Sequence, residues 1–165
     1  MSRSLGPVLP AALVDRLSQR HLERRLGVAL PFVTVDHAGR PHAMVVSYLE
    51  VRAYDASALG LVIQARSTTA RNLAARGAGT LLIVEPDTIV YVKTRAVDGP
   101  LEVAGSDLGL GYFLLGVEEV LQDAAADWEG GVRISSAIEY APVPSLEAPW
   151  VRATLAALAV PRARA

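Results

Sequence analysis

Cysteine is absent from this sequence of 165 residues. Its absence excludes disulfide bonds, thiolate nucleophiles and cysteine metal sites together. Long apolar runs are also missing, since no stretch approaches the roughly 18 residues that a membrane-spanning helix needs. The mildly apolar segment Leu5–Val14 is interrupted by Pro7 and Pro10 and is followed by Asp15, so it makes a poor signal peptide. These absences predict a cytoplasmic protein that does not cross a membrane.

An excess of charge of either sign is lacking as well. The chain has 16 basic and 17 acidic residues, which gives a formal net charge of −1. No basic tract is dense enough to mark a nucleic-acid-binding face. We therefore expect no nucleic-acid partner.

Several common catalytic arrangements are missing. The histidines His21, His37 and His42 lack the spacing that places two imidazoles on one helix face, so no metal site is predicted. Glu118 and Glu119 are adjacent in a predicted strand and should point to opposite sides of it. No Gly-x-Ser-x-Gly motif of a serine hydrolase occurs.

Apolar residues, in contrast, are abundant. They make up 52% of the chain, and the mean hydropathy is +0.31. Because no membrane span accounts for this excess, the chain is expected to bury apolar surface in an oligomer. A closed homodimer is the commonest form of oligomer.

The most polar stretch follows a short apolar run, Leu59–Ala65, which is typical of a buried strand. Two guanidinium groups, three hydroxyl groups and the only asparagine come directly after it, on Arg66, Ser67, Thr68, Thr69, Arg71 and Asn72. Ser67 or Thr68 suits a helix N-cap, and the predicted helix ends at Gly77. Such a corner leaves free backbone N–H groups and the positive end of the helix dipole at one point.

This corner allows two interpretations. It is either an ordinary helix cap flanked by solvated arginines, or a phosphate-binding site, because N–H groups, hydroxyls and guanidiniums are the donors that phosphate binds. A second basic pair, Lys93 and Arg95, shares one face of the predicted strand Thr88–Val97. That pair could reach a phosphate or an anionic ring edge, or it could simply face solvent.

Two strands precede the corner. Phe32–Asp36 and His42–Val51 are joined by a polar turn in which Gly39 should take a positive φ. Further along the chain, Phe113–Leu121 alternates as a strand does, although Val117–Asp123 alone is also compatible with a helix. The glycine-rich segment Asp98–Gly111 is predicted to be a loop.

Three motifs resemble the FMN-binding split-barrel family, whose best-known member is pyridoxamine 5′-phosphate oxidase. The first is the corner Arg-Ser-Thr-Thr-Ala-Arg-Asn-Leu at 66–73, and the second is the Asp-x-x-Gly-x-Pro turn at 36–41. The third is the run Val-Glu-Glu-Val at 117–120, which is followed by Asp123 and another strand. The resemblance covers about Pro31 to Tyr140.

The resemblance implies an α+β fold in a single domain, 1–165. Its centre is a small antiparallel split barrel of six to seven strands at about 28–141. An N-terminal helix at about Leu9–Leu26 and a C-terminal helix at about Trp150–Leu158 flank the barrel. In the barrel's last strand, Val132–Tyr140, we expect Ile134 and Ile138 in the core, with Arg133 and Glu139 facing solvent or an interface.

The resemblance also implies a flavoprotein that binds the nucleotide FMN at the interface of a homodimer. The corner would hold the phosphate, and the backbone of the second strand, Met44, Val45, Val46 and Ser47, would border the flavin ring, although these residues also suit a plain core strand. A lysine stands in the oxidase where this chain has Thr69, so we assign its charge role to Arg71, with Arg66 as the second candidate.

The activity implied is that of an FMN-dependent oxidoreductase of unassigned substrate, with no residue assigned as acid or base. Related split barrels hold a deazaflavin or degrade haem, and the corner motif does not separate these ligands from FMN. A non-catalytic flavin-binding or sensing protein is a further alternative.

Overall fold

The computed structural model describes residues 2–86, 88–123 and 131–162. Nine strands lie in this part of the chain: β1 (Ser2–Gly6), β2 (Val28–Val35), β3 (Pro41–Ser47), β4 (Val51–Ala53), β5 (Ala58–Gln64), β6 (Ala78–Glu85), β7 (Thr88–Glu102), β8 (Leu110–Asp123) and β9 (Ile138–Glu139). The helices are α1 (Ala11–Arg16), α2 (Thr68–Arg76) and α3 (Pro149–Ala157), with a short 3₁₀ turn at Leu22–Arg24.

The strands form one curled antiparallel sheet. Seven of them follow the order β3-β2-β6-β7-β8-β5-β4, while β1 pairs with β8 and β9 pairs with β2. The sheet is a half-barrel flanked by helices, which confirms the predicted α+β split barrel. The main core includes Phe32, Leu61, Leu81 and Phe113. No helix in the described residues is long and apolar enough to span a membrane.

The strand-to-helix corner forms as predicted. The Ser67 hydroxyl oxygen accepts the Ala70 N–H at 3.1 Å, so Ser67 is the N-cap of α2. Gly77 ends the helix with φ 73°, in the left-handed region that glycine tolerates best. The turn between β2 and β3 also matches the prediction, because Gly39 has φ 79°.

The predicted N-terminal helix is wrong in its extent. Only Ala11–Arg16 is α-helical, and the chain turns at Gln19, which has φ 65°. The Gln19 amide donates to the carbonyl oxygens of Tyr48 and Leu49 at 3.0 and 3.2 Å, so this side chain completes the hydrogen bonding of a neighbouring loop. Leucines recur at roughly helical spacing in this segment, and four of them are buried although they belong to separate short segments: Leu9, Leu13, Leu17 and Leu22.

The predicted last strand is also wrong. Only Ile138 and Glu139 pair, with Ala29 and Val28, and Ile138 is 52% exposed rather than in the core. Ile134 is half-buried, while Arg133 and Glu139 are exposed. A strand needs a free edge to pair with, and β6 already occupies this edge of β2 from Phe32 onward. Residues 28–31 of β2 are all that remain for this segment, and it pairs with Val28 and Ala29.

Half of the predicted loop at 98–111 is strand, and the loop itself is confined to residues 103–109. Strand β7 continues to Glu102 through register shifts near Asp98, and β8 begins at Leu110. Gly99, with φ 121°, allows this because a Cβ there would meet the Tyr112 carbonyl oxygen at 2.7 Å. The glycine-rich composition thus marks a bend within a long hairpin.

Glu118 and Glu119 do not point to opposite sides as predicted. Glu119 lies opposite Lys93 and Val117 lies opposite Thr94, so Glu118 is the extra residue of a β-bulge. The bulge brings both carboxylates to one surface. There Lys93 Nζ contacts Glu119 at 2.7 Å and Arg95 contacts Glu118 at 2.5 Å.

A buried ionic cluster fixes the N-terminal segments to the barrel. Glu85, at the end of β6, is 8% exposed and accepts a hydrogen bond from the Tyr48 hydroxyl. Its other oxygen lies 2.9 Å from Arg16 Nη1 and 3.4 Å from Arg25 Nη1. Burial, and then the bond to Glu85, raise the pKa of Tyr48. The cluster joins α1 and the 3₁₀ segment to the sheet.

Candidate functional site

An open cleft of about 690 Å³ lies between α2 and the β2–β3 hairpin. Its lining residues from α2 are Thr68, Arg71, Asn72, Ala75 and Arg76, and those from the hairpin are Asp36, His37 and His42. The two arginines of α2 thus lie in one cleft with the two histidines and the one carboxylate of the hairpin. The composition favours an anionic ligand.

Arg71 folds back over the start of its own helix. Its guanidinium donates to the Arg66 carbonyl oxygen at 2.6 Å and to Thr68 Oγ1 at 2.9 Å. The charge therefore lies beside the N-terminal turn, where the backbone N–H groups of Thr68 and Thr69 have no acceptor among the described residues. The dipole of α2, two N–H groups and one guanidinium are aligned to receive an anion.

Two of the residues that were predicted to bind phosphate are buried instead. Thr69 is 1% exposed, so its hydroxyl lies in the interior and not on the cleft surface. Asn72 donates to Thr34 Oγ1 at 3.0 Å, which ties α2 to β2 through side chains rather than through local backbone. Ser67 is the cap, and its hydroxyl proton remains available because its oxygen is the acceptor for Ala70 N–H. Arg66 is exposed and does not line the cleft.

The hairpin turn is held by its own aspartate. Asp36 Oδ1 accepts the N–H groups of Ala38 and Arg40 at 2.8 and 2.9 Å. The bond from Arg40 is the largest cause that lowers the pKa of Asp36, and the nearby His37 and Arg76 act in the same direction. Both of these bonds end on Oδ1, so one oxygen of the carboxylate holds the turn together. Arg76 donates to the His37 carbonyl oxygen at 2.7 Å and joins the turn to α2.

Strand β3 has an open edge, because it ends the path of the sheet and, among the described residues, only β2 pairs with it. The Ser47 N–H donates to Glu50 Oε2 at 2.7 Å and so points away from β2. Backbone groups alternate in direction along a strand, so the N–H groups of Ala43 and Val45 point to the same open edge. Met44 packs toward the core and Val46 is fully buried, whereas Val45 is 47% exposed.

Lys93 does not join this cleft. It lies on the outer face of β7, in a different depression lined by Ser4, Gly6, Pro7, Glu118 and Glu119, and it is paired with Glu119. In the single chain, Lys93 and Arg95 each form an exposed ion pair. This geometry favours the solvent-facing alternative over a contact with a phosphate or a ring edge. Such exposed pairs contribute little to stability.

His37, His42 and Arg76 are cleft residues that the sequence analysis did not select as ligand-binding residues. The only local signal was their closeness to the Asp-x-x-Gly-x-Pro turn, since the contact between this turn and α2 spans some 40 positions of the chain. In the part of the chain that the structure describes, no group of three histidine, aspartate or glutamate side chains could hold a metal ion.

Comparison with solved structures identifies similar folds. A candidate pyridoxamine 5′-phosphate oxidase from Lactobacillus delbrueckii superposes with a TM-score of 0.55 at 19% identity, over 72% of this chain and 98% of that one. An FMN-binding protein from Syntrophomonas wolfei gives 0.51 at 11% identity, over 70% and 88%. HupZ of Group A Streptococcus gives 0.51 at 12%, over 80% and 99%. No protein-family model and no curated protein sequence matches the chain.

These similarities confirm the predicted resemblance at the level of the fold. The chain has the split barrel of pyridoxamine 5′-phosphate oxidase-like and FMN-binding proteins.

Proposed function

We propose that this protein binds FMN in the cleft between α2 and the β2–β3 hairpin and acts as an FMN-dependent oxidoreductase. The observation that carries the proposal is the position of Arg71, whose guanidinium lies over the free N–H groups at the start of α2. The fold supports it, because an FMN-binding protein shares the same barrel.

The residues present suit the chemical groups of FMN. Thr68 and Arg71, with the N–H groups of the first turn of α2, would hold the phosphate. The open N–H groups of Ala43 and Val45 would lie along the flavin ring, beside the apolar Val45 side chain. Bound FMN would supply the electron-transfer chemistry, and the chain would supply binding and electronic tuning.

The first experiment identifies the ligand. Protein purified without added cofactor is expected to be yellow, and the released small molecule should have the mass of FMN. If the released molecule instead has the mass of a deazaflavin or of haem, that molecule is the ligand and FMN is not. Oxidation of a reduced nicotinamide in the presence of an acceptor would then distinguish an enzyme from a non-catalytic flavin-binding protein.

Arg71→Ala is expected to weaken FMN binding by about tenfold to a hundredfold and leave riboflavin binding nearly unchanged. Riboflavin lacks the phosphate, and one charge-assisted hydrogen bond contributes about 1.5–3 kcal/mol. The measurement is a pair of flavin-fluorescence titrations of the wild type and the variant.

Two further variants serve as controls for that titration. Arg66→Ala removes an exposed guanidinium that does not line the cleft, so FMN affinity should change little. Asn72→Ala breaks the bond to Thr34 that positions α2, so FMN and riboflavin should weaken together. Equal losses of FMN and riboflavin in Arg71→Ala would show that Arg71 does not contact the phosphate.

We also propose that the protein is a homodimer in which both chains line the flavin cleft. Exposed apolar side chains on β3 and on the segment around β9 support this, namely Val45, Ile138, Tyr140 and Val143. Sedimentation at micromolar concentration should give twice the mass of the chain. A monomer that still binds flavin would refute the shared cleft.

A further inference from the structure

Glu50 is a half-buried carboxylate at the end of the open β3 edge. The Ser47 N–H and the Ser47 hydroxyl both donate to its Oε2, at 2.7 and 2.9 Å. No described residue donates a hydrogen bond to Oε1, and no described cation forms an ion pair with this carboxylate. Both donors therefore converge on one oxygen and leave the other available for a proton.

The surroundings of Glu50 are short of charge. The titratable neighbour of Glu50 is Tyr140. Burial is the largest cause that raises the pKa of Tyr140, and the charge of Glu50 raises it further. Strand β5 contacts the Glu50 backbone through Val62 N–H, and its Ala58–Gln64 sequence contains no ionisable side chain. The ionic cluster of Glu85, Arg16 and Arg25 surrounds the hydroxyl of the neighbouring Tyr48, but it does not include Glu50.

A simple turn-capping role explains only part of this arrangement. The Glu50 N–H donates to the Ser47 carbonyl oxygen at 3.0 Å, so residues 47–50 form a turn that Oε2 caps. A glutamine would cap the turn equally well through its amide oxygen and would avoid a desolvated charge. Burial raises the pKa of Glu50 even though both Ser47 hydrogen bonds oppose that shift. The carboxylate is thus already closer to protonation than an exposed one.

We propose that Glu50 takes up a proton when a flavin ring covers the open edge of β3, so that its Oε1 becomes a hydrogen-bond donor to that ligand. This inference rests on the proposed function. A ring lying along Ala43 and Val45 would exclude the remaining water from the carboxylate and so disfavour its charged form. The proton comes from solvent and stays on Oε1, while Oε2 keeps its two bonds from Ser47.

The linkage between proton uptake and ligand binding determines whether binding strengthens or weakens as the pH falls. A group whose pKa rises on binding makes the complex hold more protons than the free protein. Ring binding should therefore strengthen as the pH falls between the two pKa values, by at most about tenfold per pH unit for one proton. Riboflavin is the right probe, because the phosphate of FMN titrates in its own right.

The experiment is calorimetric titration of riboflavin into the full chain from pH 5 to 8, in two buffers of different ionisation enthalpy. The wild type should take up a proton, and Glu50→Gln, which keeps the cap, should bind riboflavin with no uptake. Ser47→Ala removes one donor to the charged form, so the pH of maximal uptake should move upward. Glu119→Gln, an exposed carboxylate on the outer face of the sheet, should behave as the wild type.

Riboflavin binding by the wild type without proton uptake, or with the same uptake in Glu50→Gln, would overturn the assignment and leave the proposed flavin site intact. Absence of any flavin binding by the wild type would overturn both. Circular dichroism of each variant confirms that the fold is kept.

Discussion

Replacing Glu85 by glutamine is expected to lower the free energy of unfolding by about 3 kcal/mol, the cost of breaking a buried ion pair from one side. Glutamine has the same shape and can still accept the Tyr48 hydroxyl, so the substitution removes charge and little else. Arg16 and Arg25 then face a neutral amide where a carboxylate lay 2.9 and 3.4 Å away. Arg16 is the more buried of the two side chains. Urea unfolding, followed by circular dichroism, measures the change.

Glu119→Gln is the matched control for this result. Its ion pair with Lys93 has a distance of 2.7 Å, similar to that of the Glu85 pair, but both side chains are substantially exposed. Exposed pairs contribute about 0–1 kcal/mol, so this variant should unfold almost as the wild type does. Equal losses in the two variants would show that burial does not set the value of the Glu85 cluster.

Phe32→Ala should cost about 3–5 kcal/mol, because it opens a cavity in a core that cannot collapse around it. Phe32 is 1% exposed, and its ring lies directly over Gly79 of the adjacent strand. A Cβ at position 79 would come within 2.4 Å of the ring, so the ring fills the space that a side chain at this position would need. The ring also packs β2 against the core, and β2 belongs to the hairpin that lines the cleft.

Ile138→Ala provides the comparison, since it removes a large aliphatic side chain from an exposed site. In the single chain it should change the unfolding free energy by no more than about 0.5 kcal/mol. Repeating the urea titration at several protein concentrations separates packing within one chain from association. A loss comparable with that of Phe32→Ala at every concentration would place Ile138 in the core after all. A loss that grows with concentration would instead support the proposed homodimer.

Local chemistry in the sequence predicted the corner at α2 well. The Ser67 cap, the Gly77 end of the helix and the preceding strand all depend on interactions within a few residues, and all three occur. The fold-back of Arg71 onto Thr68 is of the same kind, since a long side chain in the first helical turn reaches the helix start without help from the rest of the fold.

The tertiary structure decided the features whose partners lie far along the chain. The alternation of Val132–Tyr140 was a valid strand pattern, yet β6 pairs with β2 from Phe32 onward and only Ile138 and Glu139 pair with the start of β2. The leucines of the N-terminal segment had helical spacing, but Gln19 bends the chain so that its amide can bond the carbonyl groups of the loop after β3.

The residues of the cleft also divide into those placed by local interactions and those placed by contacts far along the chain. The sequence by itself determined the start of α2, because the N-cap, the helix dipole and Arg71 belong to one continuous segment. Tertiary packing alone brought His37, His42 and Arg76 to that segment. It also buried Thr69 and placed Asn72 where its side chain donates to Thr34. The physical reason is that hydrogen bonds within a turn are specified by a few neighbouring residues, whereas the exposure of a side chain depends on which distant strand packs against it.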